Sequence, residues 1–368
     1  MDDAKPEAWF LGLENDFAKT KGGVQICTRE YFEMLEQCGL SLQQWLFSPD
    51  QSLTAKLRRR LKRKPFPSIV PPAFLSELRR AYAERPPAVM FFNRVNLAPL
   101  AMELRKEFEV SKFVLLSHGL MIMDELHAHD AAHKAKWLGK ILLEEKAQCT
   151  AFDLVFTLTQ EECALESWLG APRAFWIPRI VTTAPLKWSP VERRVGFVGT
   201  FDHPPTRQAL AAVLNVLDAM QLPADFRLRI VGRPEPLGNA FASARTYIDY
   251  LGPLSDVDLE REASTWCCFA HPLFAFARGC STKLAAALGW EIPVLATPAG
   301  LRGYEWQKGV IPVERNAMDF ARHLIFLSRL ENAVPVKDEI QAAARSSPSR
   351  KLILEKAAAE LRKLGLNL

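Results

Sequence analysis

The chain has 368 residues, more than one hydrophobic core usually organises, so two domains are expected. Hydrophobic residues make up 49% and charged residues 24%, which is typical of a soluble globular protein and excludes a low-complexity chain. The formal net charge is +5, and part of this excess lies in one short segment.

Cysteine usage and the opening residues predict a cytoplasmic protein. The seven cysteines form no C-x-x-C pair, and their odd number favours a reducing compartment. The first stretch, "MDDAKPEAW", is acidic and has no apolar signal-peptide core, and no run is long enough to span a bilayer. Peripheral attachment at the inner membrane face is compatible with this prediction.

The first half of the chain alternates predicted strands with predicted helices. A strand over 8–15 leads into a helix that ends at Gly39, whose missing Cβ suits the residue after a helix. The alternation implies parallel pairing and a doubly wound α/β sheet. The pattern predicts further strands at 88–96, 113–119, 153–159 and 174–181, and helices at 136–152 and 160–170.

A polar connection over 183–194 marks the predicted domain boundary, and a second α/β pattern follows it. We therefore predict two Rossmann-like domains, 1–185 and 186–340, with a cleft between them. A C-terminal helix over 341–368 is expected to pack back towards the first domain. The second pattern has strands at 194–200, 226–234, 267–272 and 293–297, with helices at 206–220 and 256–266 and another opening at 282.

Ligands of open parallel sheets bind at the carboxyl ends of the strands. Glycines there let backbone N–H groups approach a ligand, and Arg233 and Lys283 add positive charge, which together indicate a phosphate cradle. Ser281 and Thr282 can cap the helix that follows. Lys283 then lies in its first turn, where a cation is unfavourable unless an anion sits beside it.

Taken in order, these segments resemble the GT-B fold glycosyltransferases, in particular the family-four, or group 1, enzymes that use nucleotide-sugar donors. The resemblance covers most of the chain. Its three most specific segments are "VGFVGTFDHPPTRQALAAVL", "LRIVGRP…YIDYLGPLSDVDLEREAS" and "STKLAAALGWEIPVLATPAGLRGY". It implies transfer of a sugar to an acceptor hydroxyl, with a surface polysaccharide or glycolipid as the expected product.

The resemblance also implies roles for individual residues. His118 would lie near the transferred sugar and the acceptor, while Arg233 and Lys283 would neutralise the leaving diphosphate. The implied donor-binding set is Gly22, Gly23, Gly199, Thr200, Arg233, Leu251, Gly252, Leu254, Gly279, Ser281, Thr282 and Lys283, and the candidate catalytic residues are His118, Arg278 and Asp124.

One family feature is missing. The family carries two glutamates with seven residues between them, and alignment on Pro293 and Val294 puts them at Arg278 and Ala286; the usual glycine before "P-V" becomes Glu291. Arg278 suits an anionic donor sugar, since a guanidinium grips a carboxylate with two parallel bonds. The alternatives are a non-catalytic binding or scaffold protein and, less well supported, a nucleotide-sugar epimerase of the same fold.

No metal or other cofactor is expected, because the nucleotide sugar is itself the substrate. Two histidines in "DELHAHDAAHK", His129 and His133, share a helical spacing, but no cysteine or carboxylate set completes a tetrahedral metal site. Asp124 in the same segment is a better candidate for a base on the acceptor side.

The concentrated charge lies in "AKLRRRLKRK", where seven of the nine residues from Lys56 to Lys64 are lysine or arginine. A solvated surface segment and attraction to an anionic membrane or substrate both explain it. Nucleic acid would also fit the charge, but no recognition module accompanies it. Arg302, in "GLRGY", could add to the anion-binding field or decorate the surface.

Overall fold

The computed structural model describes residues 5–18, 22–53, 56–57, 69–128 and 131–368, without the side chains of 127–128 and 131–136. The chain forms two compact units. The first is Met1–Pro178 with Ser349–Leu368, and the second is Arg179–Pro348. The sequence predicts boundaries after residues 185 and 340. Within the described residues, no helix combines the length and apolar character that crossing a bilayer requires.

The first unit is built on a six-stranded sheet in the order β2-β1-β3-β4-β5-β6, with every pair parallel. Its strands are β1 (Glu7–Leu13), β2 (Ser41–Phe47), β3 (Val89–Asn93), β4 (Lys112–Leu116), β5 (Leu154–Thr157) and β6 (Ala174–Trp176). Its helices are α1 (Gly23–Gln37), α2 (Pro72–Glu84), α3 (Ala98–Leu104), α4 (Met121–Ala128), α5 (Ala131–Cys149), α6 (Gln160–Leu169) and, from the end of the chain, α13 (Arg350–Arg362).

The second unit is built on a five-stranded, all-parallel sheet in the order β11-β10-β7-β8-β9. Its strands are β7 (Arg194–Thr200), β8 (Arg227–Arg233), β9 (Ile248–Gly252), β10 (Cys268–His271) and β11 (Val294–Ala296). Its helices are α7 (Pro204–Asp218), α8 (Glu235–Ala242), α9 (Asp256–Ala263), α10 (Thr282–Gly289), α11 (Ala317–Leu327) and α12 (Leu330–Arg345).

The prediction of two doubly wound α/β domains is confirmed. The sequence analysis missed β2, whose sequence "SLQQWLF" carries adjacent glutamines and leaves only Phe47 buried. Its exposure follows from its place at the sheet edge, next to β1 alone. The last helix, α13, packs on α1: Arg350 binds the Glu33 carboxylate at 2.8 Å, and the Cys38 thiol lies 3.8 Å from the Leu354 carbonyl.

Buried aromatic and aliphatic side chains cover both faces of each sheet. In the first unit, Trp9, Phe92 and Phe113 are at most 1% exposed and pack in one cluster. In the second, one cluster surrounds Phe201 and another surrounds Trp266. Because these cores fix the strands, the loops at their carboxyl ends are held in defined positions.

Both strand orders reverse direction once. In the first sheet the chain passes from β1 to β2 on one side and then to β3 on the other side of β1. In the second sheet it passes from β7 to β8 and β9 on one side and then to β10 on the other side of β7. Crevices for ligands open outside the carboxyl ends of strands at such switch points. A ligand site in each unit is therefore expected at the carboxyl ends of these strands.

Candidate functional site

The switch point of the first unit holds a buried polar network around Asn93, the last residue of β3. The Asn93 amide Nδ2 donates to Asp16 Oδ2 and to Thr28 Oγ1, both at 3.0 Å. Arg94 donates from Nη1 to Asp16 Oδ1 at 2.9 Å. Asp16 and Thr28 are fully buried and Asn93 is 1% exposed. The sequence analysis named none of these residues as part of a site.

His118 joins this network from the loop after β4. Its ring Nε2 lies 2.9 Å from Asn93 Oδ1, and the ring contacts that of Tyr31 with centroids 5.7 Å apart. Gly119 follows with φ 103°, a left-handed conformation that glycine adopts without strain. His118 is half-buried, so the ring is anchored on one side and exposed in part on the other.

Behind His118 lies a buried carboxyl group. The Ser117 hydroxyl donates to Glu166 Oε1 at 2.8 Å, and the Gly119 amide donates back to the Ser117 hydroxyl at 3.2 Å. Burial raises the pKa of Glu166 to about 8, and the charges of Glu162 and Glu145 act in the same direction. Glu166 therefore carries its proton at neutral pH and leaves the turn at His118 uncharged on this side.

Asp124, the proposed acceptor-side base, lies in the first turn of α4 and is half-buried. The Glu145 carboxylate accepts from the backbone amides of Met121 and Ile122, which open that helix. Asp124 and His118 therefore sit on either side of one short turn. Among the residues with described side chains, no group of three or more histidine, cysteine or acidic residues is arranged to hold a metal ion.

Gly22 and Gly23 open α1, with Gly22 as the residue before the helix at φ −102°. A Cβ at Gly22 would meet only the end of the flexible Gln25 side chain, at 2.5 Å. Neither backbone conformation nor packing therefore demands glycine at position 22. Close approach of a ligand to the amides stays the predicted reason for this pair.

In the second unit, packing explains the glycines at the ends of β7 and β8. A Cβ at Gly232 would lie 1.9 Å from the Gly199 carbonyl oxygen, and a Cβ at Gly199 would lie 2.6 Å from the Phe197 ring. These glycines let two strands touch. Beside them, Thr200 and Arg233 are partners in the β7–β8 register, and Arg233 is exposed.

Leu251, Gly252 and Leu254, of the predicted donor-binding set, lie at the end of β9 and just after it. Leu251 and Leu254 are half-buried against the Trp266 cluster. Gly252 has φ 71° and open space on its Cβ side. Leu251 and Leu254 are therefore half accessible to a ligand.

Residues 279–283 form the start of α10. Ser281 caps the helix, accepting from the Leu284 amide at 3.4 Å, as predicted. Gly279 adopts φ 65°, and its carbonyl accepts from Arg302 Nη2 at 2.9 Å. Arg302 also binds the carbonyls of Ala277 and Ala299. Arg302 is 6% exposed, which excludes the second of the two alternatives for this residue, that it decorates the surface. Its hydrogen bonds to the residues on either side of Arg278 hold that loop in place.

Lys283 is the unusual residue of this segment. It is partly buried, and the described residues give it neither a hydrogen bond nor an ion pair. Burial lowers the pKa of its ammonium group to about 8. An ammonium group without a partner, placed where a helix presents free N–H groups, is arranged to meet an anion.

His271, at the carboxyl end of β10, was missed by the sequence analysis. It is 7% exposed, and its Nε2 has no hydrogen-bond partner among the described residues. Burial lowers its pKa to about 3, and the positive charges of Lys283 and Arg302 lower it further. The charges of Lys283 and Arg302 are therefore near enough to act on the His271 ring. The signal was a histidine ending a buried strand at a switch point, in "CCFAHP".

The two positions at which the family has glutamates lie in α10 and in the loop before it. Ala286 lies in the middle of α10, and Arg278 lies in the loop that Arg302 holds. Glu291 adopts φ 54° just after α10, the left-handed conformation for which glycine is preferred, and its carboxylate pairs with Arg345 at 2.9 Å. A glutamate where the family has glycine fits the alignment that places Arg278 and Ala286 at the glutamate positions.

The structure thus brings the predicted residues together in groups. Thr200 and Arg233 are neighbours in the second sheet, residues 279–283 lead into α10, and His118 joins Asn93 in the first unit.

Comparison with known proteins supports this assignment. Residues 192–329 match the family Glycosyl transferases group 1. No curated protein sequence matches the chain. Similar solved structures include three whose identities are low enough to show the fold alone. Sucrose-phosphate synthase from Thermosynechococcus elongatus is 17% identical, the match covers 98% of this chain and 99% of that chain, and the TM-score is 0.67. HepE from Anabaena, in complex with UDP and glucose, is 14% identical over 97% of this chain and 100% of that chain, with a TM-score of 0.64. The apo lipopolysaccharide outer core galactosyltransferase WaaB is 13% identical over 97% of this chain and 99% of that chain, with a TM-score of 0.63.

The fold, the matched family and the cationic turn at the start of α10 agree with one another. Residues 192–329 form a glycosyl transferases group 1 domain, and the chain is a sugar transferase of the GT-B fold.

Proposed function

We propose that the turn at residues 279–283 binds the diphosphate of a nucleotide-sugar donor. The observation that carries this proposal is Lys283, a partly buried ammonium group with no acidic partner among the described residues. The free N–H groups of α10 begin at the same turn, and the buried His271 Nε2, which has no hydrogen-bond partner among the described residues, is near enough for the charge of Lys283 to lower the pKa of its ring. A diphosphate would satisfy all three.

Transfer of the sugar breaks the bond between its anomeric carbon and the diphosphate oxygen. Negative charge grows on that oxygen, and Lys283 and the start of α10 stabilise it in the transition state. The acceptor hydroxyl forms the new bond and loses its proton, for which Asp124 is the proposed base. His118 positions the sugar.

We propose uridine diphosphate as the first nucleotide to test. HepE from Anabaena was solved with UDP and glucose, and the E. coli trehalose-6-phosphate protein was solved with UDP-2-fluoro glucose. Both share the fold of this chain, and neither identity exceeds 14%.

The donor sugar is proposed to carry a carboxylate. No acidic side chain lies between Arg278 and Trp290, so the turn offers an anionic sugar cations without competing acids. A pair of assays, with UDP-glucuronate and with UDP-glucose, tests this point. Preference for the neutral sugar would remove it.

The acceptor is proposed to be a glycan or a lipid-linked sugar in surface polysaccharide or glycolipid assembly. The run from Lys56 to Lys64 supports attraction to an anionic membrane. Most of this run lies outside the described residues. Flotation with anionic liposomes should recover the chain, and replacing the basic residues of 56–64 by glutamine should abolish recovery. Equal recovery of both forms would contradict the membrane proposal.

Transfer is also proposed to proceed without a bound metal, because cationic side chains and helix amides would oppose the diphosphate charge. Activity with the nucleotide sugar should then persist in EDTA. Loss of activity in EDTA that returns with a divalent cation would overturn this part.

The donor proposal is tested by thermal stabilisation with UDP, GDP, ADP, TDP and CMP. We expect one nucleoside diphosphate to raise the melting temperature, and Lys283→Ala and Arg278→Ala to remove that rise. Lys308→Ala, at an exposed lysine of the same unit, is the matched control and should keep it. A rise that survives in both site variants would place the nucleotide elsewhere.

A further inference from the structure

The buried network at the first switch point has a chemical consequence for His118. We propose that Asp16 and Asn93 are positioning residues that hold neutral His118 with its proton on Nε2 and its lone pair on Nδ1. The use of that tautomer in sugar transfer rests on the proposed function; the tautomer itself follows from the network.

The first step is the orientation of the Asn93 amide. Its Nδ2 has two hydrogens, and both are used, one on Asp16 Oδ2 and one on Thr28 Oγ1. Reversing the amide would turn Oδ1 towards the Asp16 carboxylate, which can only accept. Two acceptors would then face each other in a fully buried place, a costly arrangement. Asp16 therefore decides which end of the Asn93 amide faces His118.

The second step is the charge of Asp16. Arg94 donates to Oδ1 at 2.9 Å, and the Leu13 amide lies 3.4 Å from Oδ2. All the described groups that contact these atoms of Asp16 are donors, as suits a carboxylate, which can only accept. Arg94 holds φ 79°, unusual for a residue with a side chain, which shows that its surroundings over-determine its place.

The third step is the histidine. Since the Asn93 atom facing the ring is the carbonyl oxygen Oδ1, only a ring nitrogen carrying hydrogen can bond to it at 2.9 Å. That nitrogen is Nε2. A neutral imidazole carries one N–H, so its lone pair is on Nδ1. The other tautomer would place the N–H on Nδ1 and turn a lone pair towards Asn93 Oδ1.

The tautomer can be measured on the protein without any donor, by nitrogen NMR of a sample labelled only at histidine. His118→Gln identifies the His118 signals by their loss. We expect Nε2 of His118 to carry the proton in the native chain, and Asp16→Asn to populate the Nδ1–H form, because the neutral amide at 16 no longer fixes the Asn93 orientation.

Thr28→Val is the matched control. It removes the other acceptor of Asn93 but leaves the Asp16 carboxylate, so we expect a lower melting temperature and an unchanged tautomer. Where Asp16→Asn does not fold, Asn93→Ala replaces it, since it removes the oxygen opposite Nε2. An Nδ1–H form in the native chain, or a tautomer unchanged in Asp16→Asn and Asn93→Ala, would overturn the proposal.

Activity adds a separate measurement. With the donor identified, Asp16→Asn should lower kcat roughly 10-fold, as loss of an orienting partner typically does, with little change in the donor KM. Failure of every nucleotide sugar to react would count against the proposed function, while the NMR result would still decide the tautomer. A rise in KM at constant kcat would contradict the positioning role.

Discussion

The polar centres of the two units are built in opposite ways. In the first unit, Asp16, Thr28, Asn93 and His118 satisfy one another through an unbroken series of hydrogen bonds. In the second, Lys283 has no partner, and His271 keeps a buried nitrogen without a hydrogen bond among the described residues. The first centre is held in place by its own hydrogen bonds; the second is the one that the proposed function assigns to an anionic ligand.

The first centre orients a side chain, whereas the second provides a positive charge. A satisfied network fixes a side chain before any substrate arrives, so its cost is met during folding. An unpaired cation in a partly buried place is costly to the free protein and becomes favourable when an anion binds. Predictions for the two centres therefore have opposite signs for the stability of the free protein.

The largest effect is expected at Lys283. Replacing it by methionine should weaken nucleoside diphosphate binding about 100-fold, the loss of a charge-assisted contact. The same change should stabilise the free protein, because it removes a partly buried charge. Isothermal calorimetry and urea unfolding check the two halves, with Lys308→Met as control. Reduced stability of free Lys283→Met would show that Lys283 has a structural partner.

The stability of the free protein should also change with pH through the titration of Lys283. The pKa of Lys283 is near 8 when folded and about 10.5 when unfolded, so the unfolded chain binds more protons between these values. We expect this residue to add stability as pH rises from about 8 to 10.5. Unfolding free energies of native and Lys283→Met chains across this range should converge towards the upper end. Parallel curves would contradict the lowered pKa.

Titration of Glu166, a buried group in the first unit, makes the free energy of unfolding fall as pH rises. The pKa of Glu166 is raised to about 8 by burial, so the folded chain binds more protons than the unfolded chain between about 4.5 and 8, and stability falls across that window. Glu166→Gln should gain stability over the native chain as pH rises from about 4.5 to 8, and the gain should vanish near pH 4.5. Glu161→Gln, exposed on the same helix, is the control. A gain that is constant with pH would exclude this titration.

The smallest effect is expected at Glu291. Its φ of 54° costs a residue with a side chain about 1 kcal/mol more than glycine, and its ion pair with largely exposed Arg345 offsets part of that cost. Glu291→Gly should be at least as stable as native, and Glu291→Ala less stable than Glu291→Gly by about 1 kcal/mol. Thermal unfolding of the three forms gives the order. Equal stability of the glycine and alanine forms would contradict the strain.

Much of the fold follows from local sequence. Alternating strand and helix patterns with glycine turns predict both parallel sheets, and the cap at Ser281 follows from its place before α10. The sequence pattern does not predict the edge strand β2, because an exposed strand lacks an apolar run. Its pairing with β1 is a tertiary fact that "SLQQWLF" does not encode locally.

The site is harder to predict because its partners are far apart in the chain. Asp16 and Asn93 are separated by 77 residues, and no spacing rule links them. The lysine in the first turn of α10 predicts an anion, since the electrostatic conflict is local. His271 and the role of Arg302 depend on burial, which only packing of β10, β11 and the following loop creates.

Proton uptake on nucleotide binding tests the central claim most directly, that the diphosphate supplies the missing partner of Lys283. At pH 9 the free lysine, with a pKa near 8, is mostly neutral, and a bound diphosphate should recharge it. Calorimetric titration of the native chain with the stabilising nucleotide, in buffers of different ionisation enthalpy, should therefore show uptake approaching about one proton, and Lys283→Met should show none. Binding without proton uptake, or uptake that persists in Lys283→Met, would contradict the account.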